Sequence, residues 1–218
     1  DSFVAHPSFQ GHLEDLPQQA TVATASLRRR AQLQTWRSDL EIVPVRGNVD
    51  TRLEKLMESD WHGLVLAAAG LLRMGRSAWI RDRIDANIIV PAVGQGALGI
   101  ACPTGEEALQ RRLHDVLHHG PTGAATRAER AFLRTVGGGC QVPLGAWARL
   151  VDDDTLVLDA CIAALDGSEH HRDQRSSAPE EGDDMGVALA EDLLQAGGEA
   201  ILDRILGDRS PQGSPFQP

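Results

Sequence analysis

Residues 21–52, TVATASLRRRAQLQTWRSDLEIVPVRGNVDTR, decide the fold, because they hold one complete strand–turn–helix unit and the start of a second. The pattern predicts a strand that ends before the N-cap residue Ser26, and a helix over 26–34. The apolar stretch 40–46 predicts another strand, which turns into a helix over 50–59, and a third unit begins with a strand over 63–68. Repeated units of this kind are typical of a parallel sheet with crossover helices, so we expect an α/β domain.

The last third of the chain predicts a smaller α+β domain. Two apolar stretches, 144–151 and 155–164, flank an acidic turn and indicate a β-hairpin. We interpret residues 88–100 as a strand-like segment interrupted by glycines, and residues 172–184 as a polar loop. Further helices are expected over 106–118, 126–135, 185–196 and 198–206. The final residues are rich in Gly, Pro and Ser, which is typical of a disordered tail.

Composition excludes several classes of protein. The three cysteines, Cys102, Cys140 and Cys161, have no paired spacing, so neither a disulfide framework nor a structural zinc site is indicated and a reducing, cytoplasmic location fits best. The longest apolar run falls well short of the roughly 20 residues that cross a bilayer. A net charge of −10 argues against a nucleic-acid-binding protein. The chain begins at Asp1 without an initiator methionine, so we expect a fragment.

Arginines nevertheless cluster where the predicted strands end. Residues 22–52 contain six arginines and three acidic residues. Arg28 and Arg29 occupy the first turn of one predicted helix and Arg52 the first turn of another, where the helix dipole favours anions, so something negative should offset them. Free backbone N–H groups and guanidinium groups together form a site for carboxylate or phosphate. The alternative is that each arginine is merely solvated.

The segment Gly137-Gly138-Gly139-Cys140-Gln141-Val142-Pro143 presents a thiol on an unusual backbone. Glycines allow positive φ and close approach to a ligand, so Cys140 could be a nucleophile or a point of covalent attachment. A tight turn around a small buried cysteine is the other interpretation. Cys161 is expected in the core, the histidines are expected to be exposed, and no metal site is predicted.

Several motifs run in the order and at the spacing of one known family: TASLRRRAQL (24–33), RGNVDTRLEKL (46–56), AAAGLLRMG (67–75), VGQGALGI (93–100), ERAFLRTVGGGCQVPLGAWA (129–148) and the closing helix before Leu206. In these segments the chain resembles the hydroxymethylbilane synthase family, also called porphobilinogen deaminase. The resemblance implies a periplasmic-binding-protein-like α/β domain with a parallel or mixed sheet, and a small C-terminal α+β domain that carries the cofactor cysteine. It also implies that most of the family's domain 1 is lacking. The domains implied are 1–92 (domain 2), 93–120 (return segment of domain 1), 121–207 (C-terminal domain) and 208–218 (tail).

The family's activity is the head-to-tail joining of four porphobilinogen molecules to hydroxymethylbilane, with release of ammonia, in tetrapyrrole biosynthesis. The resemblance implies that a dipyrromethane primer is attached to Cys140 through a thioether, that the complete protein is a monomer, and that it binds neither nucleic acid nor membranes. Cofactor contacts are carried over to Thr24, Ser26, Arg28 and Arg29, and substrate contacts to Arg46, Arg52, Arg73 and Gln95. The family's catalytic aspartate belongs to an upstream segment that has no match here, so no catalytic residue is assigned.

Two further interpretations remain open from the sequence. The chain could be an oligopyrrole-binding or anion-binding module without turnover. A ligand-sensing domain of a transcription regulator would share the α/β scaffold, but it does not explain the glycine-cysteine segment.

The family's usual Gly-Thr-Ser-Ser reads Ala23-Thr24-Ala25-Ser26 here, which removes one hydroxyl contact. We also expect residues 93–118 to expose sheet edges or apolar surface.

Overall fold

Three strand–helix units build the first sheet, as the sequence predicts. The computed structural model describes residues 1–137 and 142–207, so Cys140 and the expected tail at 208–218 lie outside the described residues. The units are β2 (Thr21–Ala23) with α1 (Leu27–Trp36), β3 (Glu41–Val43) with α2 (Val49–Met57), and β4 (Gly63–Leu66) with α3 (Ala68–Arg73). Strand β2 pairs in parallel with both β3 and β4.

Two strands that the sequence analysis missed make the sheet mixed. β1 (Ser2–Ala5) lies antiparallel between β4 and β5 (Asp82–Arg83), and the strand order is β3-β2-β4-β1-β5. β1 is only four residues long and three of them are buried, so it lacks the polar and apolar alternation that marks a strand with one wet face. The mixed α/β sheet of the predicted fold class is confirmed.

The first sheet is buried on both faces. Neighbouring residues of a strand point to opposite faces. Accordingly, Phe3 joins one apolar cluster and Val4 the other, and Val65 and Leu64 divide in the same way. Leu33 of α1 closes the first face. Helices on both faces therefore exclude water from the sheet, and the strand ends are the places where its polar groups can meet a ligand.

A second, antiparallel sheet forms the expected α+β domain. It has the order β6-β7-β8, and the predicted hairpin is confirmed as β6 (Leu144–Leu150) and β7 (Leu156–Ala163). The expectation of a polar loop over 172–184 was wrong, because β8 (His170–Ser177) pairs along β7. β8 is an edge strand, and edge strands commonly carry charged residues, so its sequence HHRDQRSS resembles a loop. Helices α5 (Gly120–Val136), α6 (Gly182–Leu193) and α7 (Glu199–Gly207) complete this domain.

Residues 88–100 form no strand, contrary to the prediction. Both backbone polar groups of Val90 bind side chains: its N–H donates to Gln32 Oε1 at 2.7 Å, and its carbonyl accepts from Arg28 Nη1 at 2.8 Å. The next carbonyl, of Pro91, accepts from the Ala146 N–H of β6 at 3.0 Å. This irregular segment therefore joins the two sheets.

Helix α4 (Glu107–Leu117) follows this segment and is confirmed. Together with the chain before it, α4 exposes apolar side chains: Leu98 and Val116 are each 78% exposed, and Ile100 and Leu117 are more than half exposed. This agrees with the expected apolar surface over 93–118. In the part of the chain that the structure describes, no helix has the length and apolar character needed to span a bilayer.

The two domains also touch through one glycine. Gly167, in the loop between β7 and β8, has φ +73°, and a Cβ atom built on it would lie 2.4 Å from the Gln34 carbonyl carbon and 2.5 Å from the Thr35 nitrogen of α1. Both neighbours are backbone atoms, which cannot swing aside. The loop therefore fits against α1 only without a side chain at this position.

We expect Gly167→Ala to lower the free energy of unfolding by about 1–3 kcal/mol more than Gly105→Ala does. Gly105 also has positive φ (+91°) but nothing within 4 Å of an added Cβ, so its substitution reports backbone strain alone. Denaturant unfolding of the two variants measures the difference. Equal losses would show that the loop does not rest on α1.

Candidate anion-binding site

Two helices begin side by side at one edge of the first sheet. β2 and β3 are parallel neighbours, so their carboxyl ends meet at the same edge, where α1 and α2 start. Ser26 caps α1, with Oγ accepting from the Arg29 N–H at 3.4 Å, and Asn48 caps α2, with Oδ1 accepting from the Thr51 N–H at 2.8 Å. The N-terminal ends of helices attract anions, so this edge favours negative charge.

Arg28 and Arg29 are buried there against a single carboxylate. Their exposed fractions are 5% and 8%, and the side chain of Asp1 is 0% exposed. Arg28 donates from Nη1 to Asp1 Oδ2 at 2.6 Å and from Nη2 to Oδ1 at 3.2 Å. Arg29 donates from Nε to Oδ1 at 2.9 Å, and its Nη2 lies 2.7 Å from the same oxygen. One carboxylate thus bridges two guanidinium groups.

Other bonds of the two arginines reach neighbouring elements. Arg28 Nη2 donates to Gln95 Oε1 at 3.0 Å, which brings Gln95 into contact with the cluster. Arg29 Nη1 donates to the Val65 carbonyl of β4 at 3.1 Å. The cluster of Asp1, Arg28 and Arg29 therefore ties α1 to the sheet and to the irregular segment that follows β5.

The cluster carries a net positive charge. Burial lowers the pKa of the Arg28 guanidinium to about 10. The pKa of the Arg29 guanidinium is lowered to about 9, chiefly by burial and to a smaller extent by the positive charges of Arg28 and Arg52. Both groups remain protonated at neutral pH, so two positive charges face one carboxylate. Burying unpaired charge is costly, and one further anion at this position would compensate the surplus.

The remaining predicted contacts lie at different distances from this cluster. Thr24 is buried, and its hydroxyl accepts from the Ser26 N–H at 3.2 Å. Arg52 is half-buried, donates from Nε to the Gly47 carbonyl at 2.8 Å, and lies close enough for its charge to act on Arg29. Arg46 is exposed between β3 and α2. Arg73 is exposed at the last residue of α3, away from the helix starts.

Two sequence models of one family match the chain. The model described as porphobilinogen deaminase, dipyromethane cofactor binding domain, matches residues 1–111. The model described as porphobilinogen deaminase, C-terminal domain, matches residues 124–195. The chain belongs to the porphobilinogen deaminase family.

Curated relatives agree with this assignment. The chain is 42% identical to the porphobilinogen deaminase of Syntrophomonas wolfei, in an alignment that covers 93% of this chain and 65% of the relative. It is 47% identical to that of Desulforudis audaxviator, with 88% of this chain and 62% of the relative aligned. It is 46% identical to that of Roseiflexus castenholzii, with 93% of this chain and 65% of the relative aligned. The chain thus spans 62 to 65% of the length of these relatives. The resemblance found in the sequence is confirmed at the level of the family.

The attachment cysteine expected for this porphobilinogen deaminase family member is Cys140, outside the described residues. The chain on either side of it is described: α5 ends at Val136, Gly137 follows with φ +68°, and β6 begins at Leu144. Cys161 is fully buried in β7, as predicted, and burial raises the pKa of its thiol to about 11. It is therefore a neutral core residue at physiological pH. Within residues 1–137 and 142–207, no group of His, Cys, Asp and Glu side chains could hold a metal ion.

Sequence reasoning missed a buried carboxyl group, Glu129. Its Oε2 accepts from the Gly94 N–H at 2.6 Å and its Oε1 from the Ala148 N–H of β6 at 2.8 Å. Burial raises the pKa of Glu129 above its ordinary value. A signal existed in the sequence, because Glu129 lies between the apolar positions Ala128 and Phe132 of α5. Through these two bonds, Glu129 holds Gly94, the neighbour of Gln95, against the C-terminal domain.

Sequence reasoning also missed Asp1. The apolar residues Phe3 and Val4 follow it after Ser2. That short apolar run was the available signal for a strand with an acidic residue at its start. Only the antiparallel placement of β1 brings the carboxylate to the arginines of α1.

We expect Glu129→Gln to lower the free energy of unfolding by about 1–3 kcal/mol, because the amide nitrogen then faces one of two buried N–H donors. The loss should shrink as pH rises. A raised pKa means that the stability contributed by the neutral carboxyl is full below the ordinary value of 4.5 and is lost as pH rises through the folded-state pKa.

Urea unfolding at several pH values from 4 upward measures this, with the exposed Glu107→Gln as the matched control. A loss that grows with pH would contradict the assigned direction of the pKa shift.

Proposed function

We propose that the chain is part of a hydroxymethylbilane synthase, which joins four porphobilinogen molecules to hydroxymethylbilane with release of ammonia. The observation that carries the proposal is the buried cluster of two arginines and one aspartate at the edge where α1 begins. Porphobilinogen is a pyrrole with two carboxylate side chains, and guanidinium groups bind carboxylates with matched geometry. Membership of the porphobilinogen deaminase family supports the same conclusion.

The residues present fit a dipyrromethane. The fit rests on the donor set: buried guanidinium groups with a surplus positive charge, a serine hydroxyl and two helix starts, all suited to carboxylates. When bound, the dipyrromethane supplies the pyrrole carbon to which porphobilinogen units are added. We propose the following holders of its acid groups: Thr24, Ser26, Arg28 and Arg29, with Cys140 as the thioether attachment.

Substrate carboxylates are proposed to bind at Arg46, Arg52, Arg73 and Gln95. Arg46 and Arg52 lie at the same sheet edge as the cluster, on the turn and helix that follow β3. Gln95 is held by Arg28. Arg73 depends on the resemblance alone. These side chains orient carboxylates and hold the pyrrole rings near one another, which lowers the entropic cost of joining them. The acid–base groups of the reaction are not assigned to this chain.

The domain division at 92/93 and 120/121, a cytoplasmic location and a monomeric complete protein are parts of the same proposal. The cysteine spacing supports a reducing compartment. The irregular segment at 88–100 supports a change of domain near residue 92, because its backbone bonds reach both sheets.

If Cys140 carries the primer, protein produced with porphobilinogen available should have an intact mass that exceeds the sequence mass by one dipyrromethane. Cys140→Ser should abolish the increment, because serine oxygen is a much weaker nucleophile than thiolate. Cys102→Ser is the matched control and should keep it. Intact-protein mass spectrometry decides the matter.

A wild-type protein that stays unmodified would contradict the proposed attachment of the primer to Cys140. A modified protein from which porphobilinogen releases no ammonia would instead support the binding-module interpretation.

A further inference from the structure

The carboxylate of Asp1 is the most completely enclosed charged group near the proposed site. Its side chain is 0% exposed, and both oxygens contact the guanidinium groups of Arg28 and Arg29. We propose that Asp1 is a positioning residue: it orients the two arginines and sets the charge of the site so that one ligand carboxylate completes it. This inference rests on the proposed function and deepens it.

Asp1 acts on Arg28 as one of several anchors. Arg28 donates four hydrogen bonds: two to Asp1, one to the Val90 carbonyl and one to Gln95 Oε1. A guanidinium group has five N–H donors, so these bonds determine its plane and its rotation. Arg28 is thereby held rigid, and its charge is fixed beside Arg29.

Asp1 occupies one edge of Arg29 and leaves another. The Nε and Nη2 atoms of Arg29 face Asp1 Oδ1, and Nη1 donates to the Val65 carbonyl. These contacts account for three of the five N–H groups of the side chain. Among the described residues, no acceptor is assigned to the remaining two N–H groups, one on Nη1 and one on Nη2. A ligand carboxylate can accept from them, since guanidinium groups bind carboxylates well.

The balance of charge among Asp1, Arg28 and Arg29 also indicates that the cluster binds one ligand carboxylate. Without Asp1, two buried guanidinium charges would adjoin each other with no counter-charge in contact among residues 1–137 and 142–207. With Asp1, the cluster keeps one positive charge, and a single ligand carboxylate makes it neutral. A second acidic side chain here would remove the electrostatic reason to bind, so one carboxylate on the protein and one on the ligand is the balanced arrangement.

The competing interpretation is that Asp1 only joins β1 to α1. Both interpretations predict lost stability when the carboxylate is removed. They differ in whether the primer is acquired normally by molecules that remain folded, and that difference is measurable.

The test uses Asp1→Asn and Asp1→Glu in the complete protein, with Asp39→Asn as the matched control. Asp39 forms a comparable pair with Arg37, with Nε donating to Oδ1 at 2.9 Å and Nη2 to Oδ2 at 2.6 Å, but it is exposed and lies at the end of α1 opposite to the cluster. For each protein, the rate at which apo-protein acquires the dipyrromethane mass from porphobilinogen is measured, together with its thermal midpoint.

We expect Asp1→Asn to slow primer acquisition by about 10- to 100-fold, because a misplacement of about 1 Å in a binding group costs this much. Asp1→Glu keeps the charge and should recover part of the rate. Asp39→Asn should acquire the primer at the wild-type rate.

Wild-type acquisition by folded Asp1→Asn overturns the inference, as does an equal slowing in Asp39→Asn. Should Asp1→Asn fail to fold, Asp1→Glu decides: a wild-type rate despite the longer side chain leaves Asp1 a structural role only. A wild-type protein that acquires no primer contradicts the proposed function itself, which separates the two failures.

Discussion

The interaction on which the rest depends is the contact of one buried carboxylate with two adjacent guanidinium groups. Consecutive arginines at the start of a helix are unfavourable by themselves, because they oppose the helix dipole and repel each other. Asp1 offsets one of the two charges. Asp1 thus supplies part of the negative charge that the two arginines require, and the surplus positive charge favours a further anion at this position.

Side-chain bonds to the irregular segment, including one from Arg28, hold the two sheets together. Residues 87–95 follow no regular structure, so their peptide groups need partners elsewhere. Arg28 and Gln32 from α1 bind Val90, and Glu129 from α5 binds Gly94. Arg172 of β8 donates to the Asn87 carbonyl at 3.0 Å. Charged and amide side chains therefore connect the first sheet, the irregular segment and the C-terminal domain in one continuous network.

This network also accounts for the errors made from sequence. Residues 88–100 contain the β-branched residues that favour strands. Side chains from distant helices bind the backbone of Val90 and Gly94 instead, which no local pattern reveals. The prediction failed in the opposite direction for β8, which is a strand with a polar sequence. β8 pairs with β7 through backbone groups at the edge of the sheet, and this pairing does not require apolar side chains. In both cases a distant partner outweighs local preference.

The sequence by itself determined the strand–helix units of the first sheet, the hairpin of the second and the family. These follow from patterns that lie within a few tens of residues, such as an apolar strand ending at a serine N-cap. It also placed Arg28 and Arg29 at a helix start.

Only the tertiary structure decided that Asp1 faces those arginines and that Gln95 and Glu129 belong to the same network. The sequence separations show why: 27 residues divide Asp1 from Arg28, 67 divide Arg28 from Gln95, and 35 divide Gly94 from Glu129. Contacts of that range depend on how the sheets pack, and hydrophobic burial, which drives the packing, has no direction of its own.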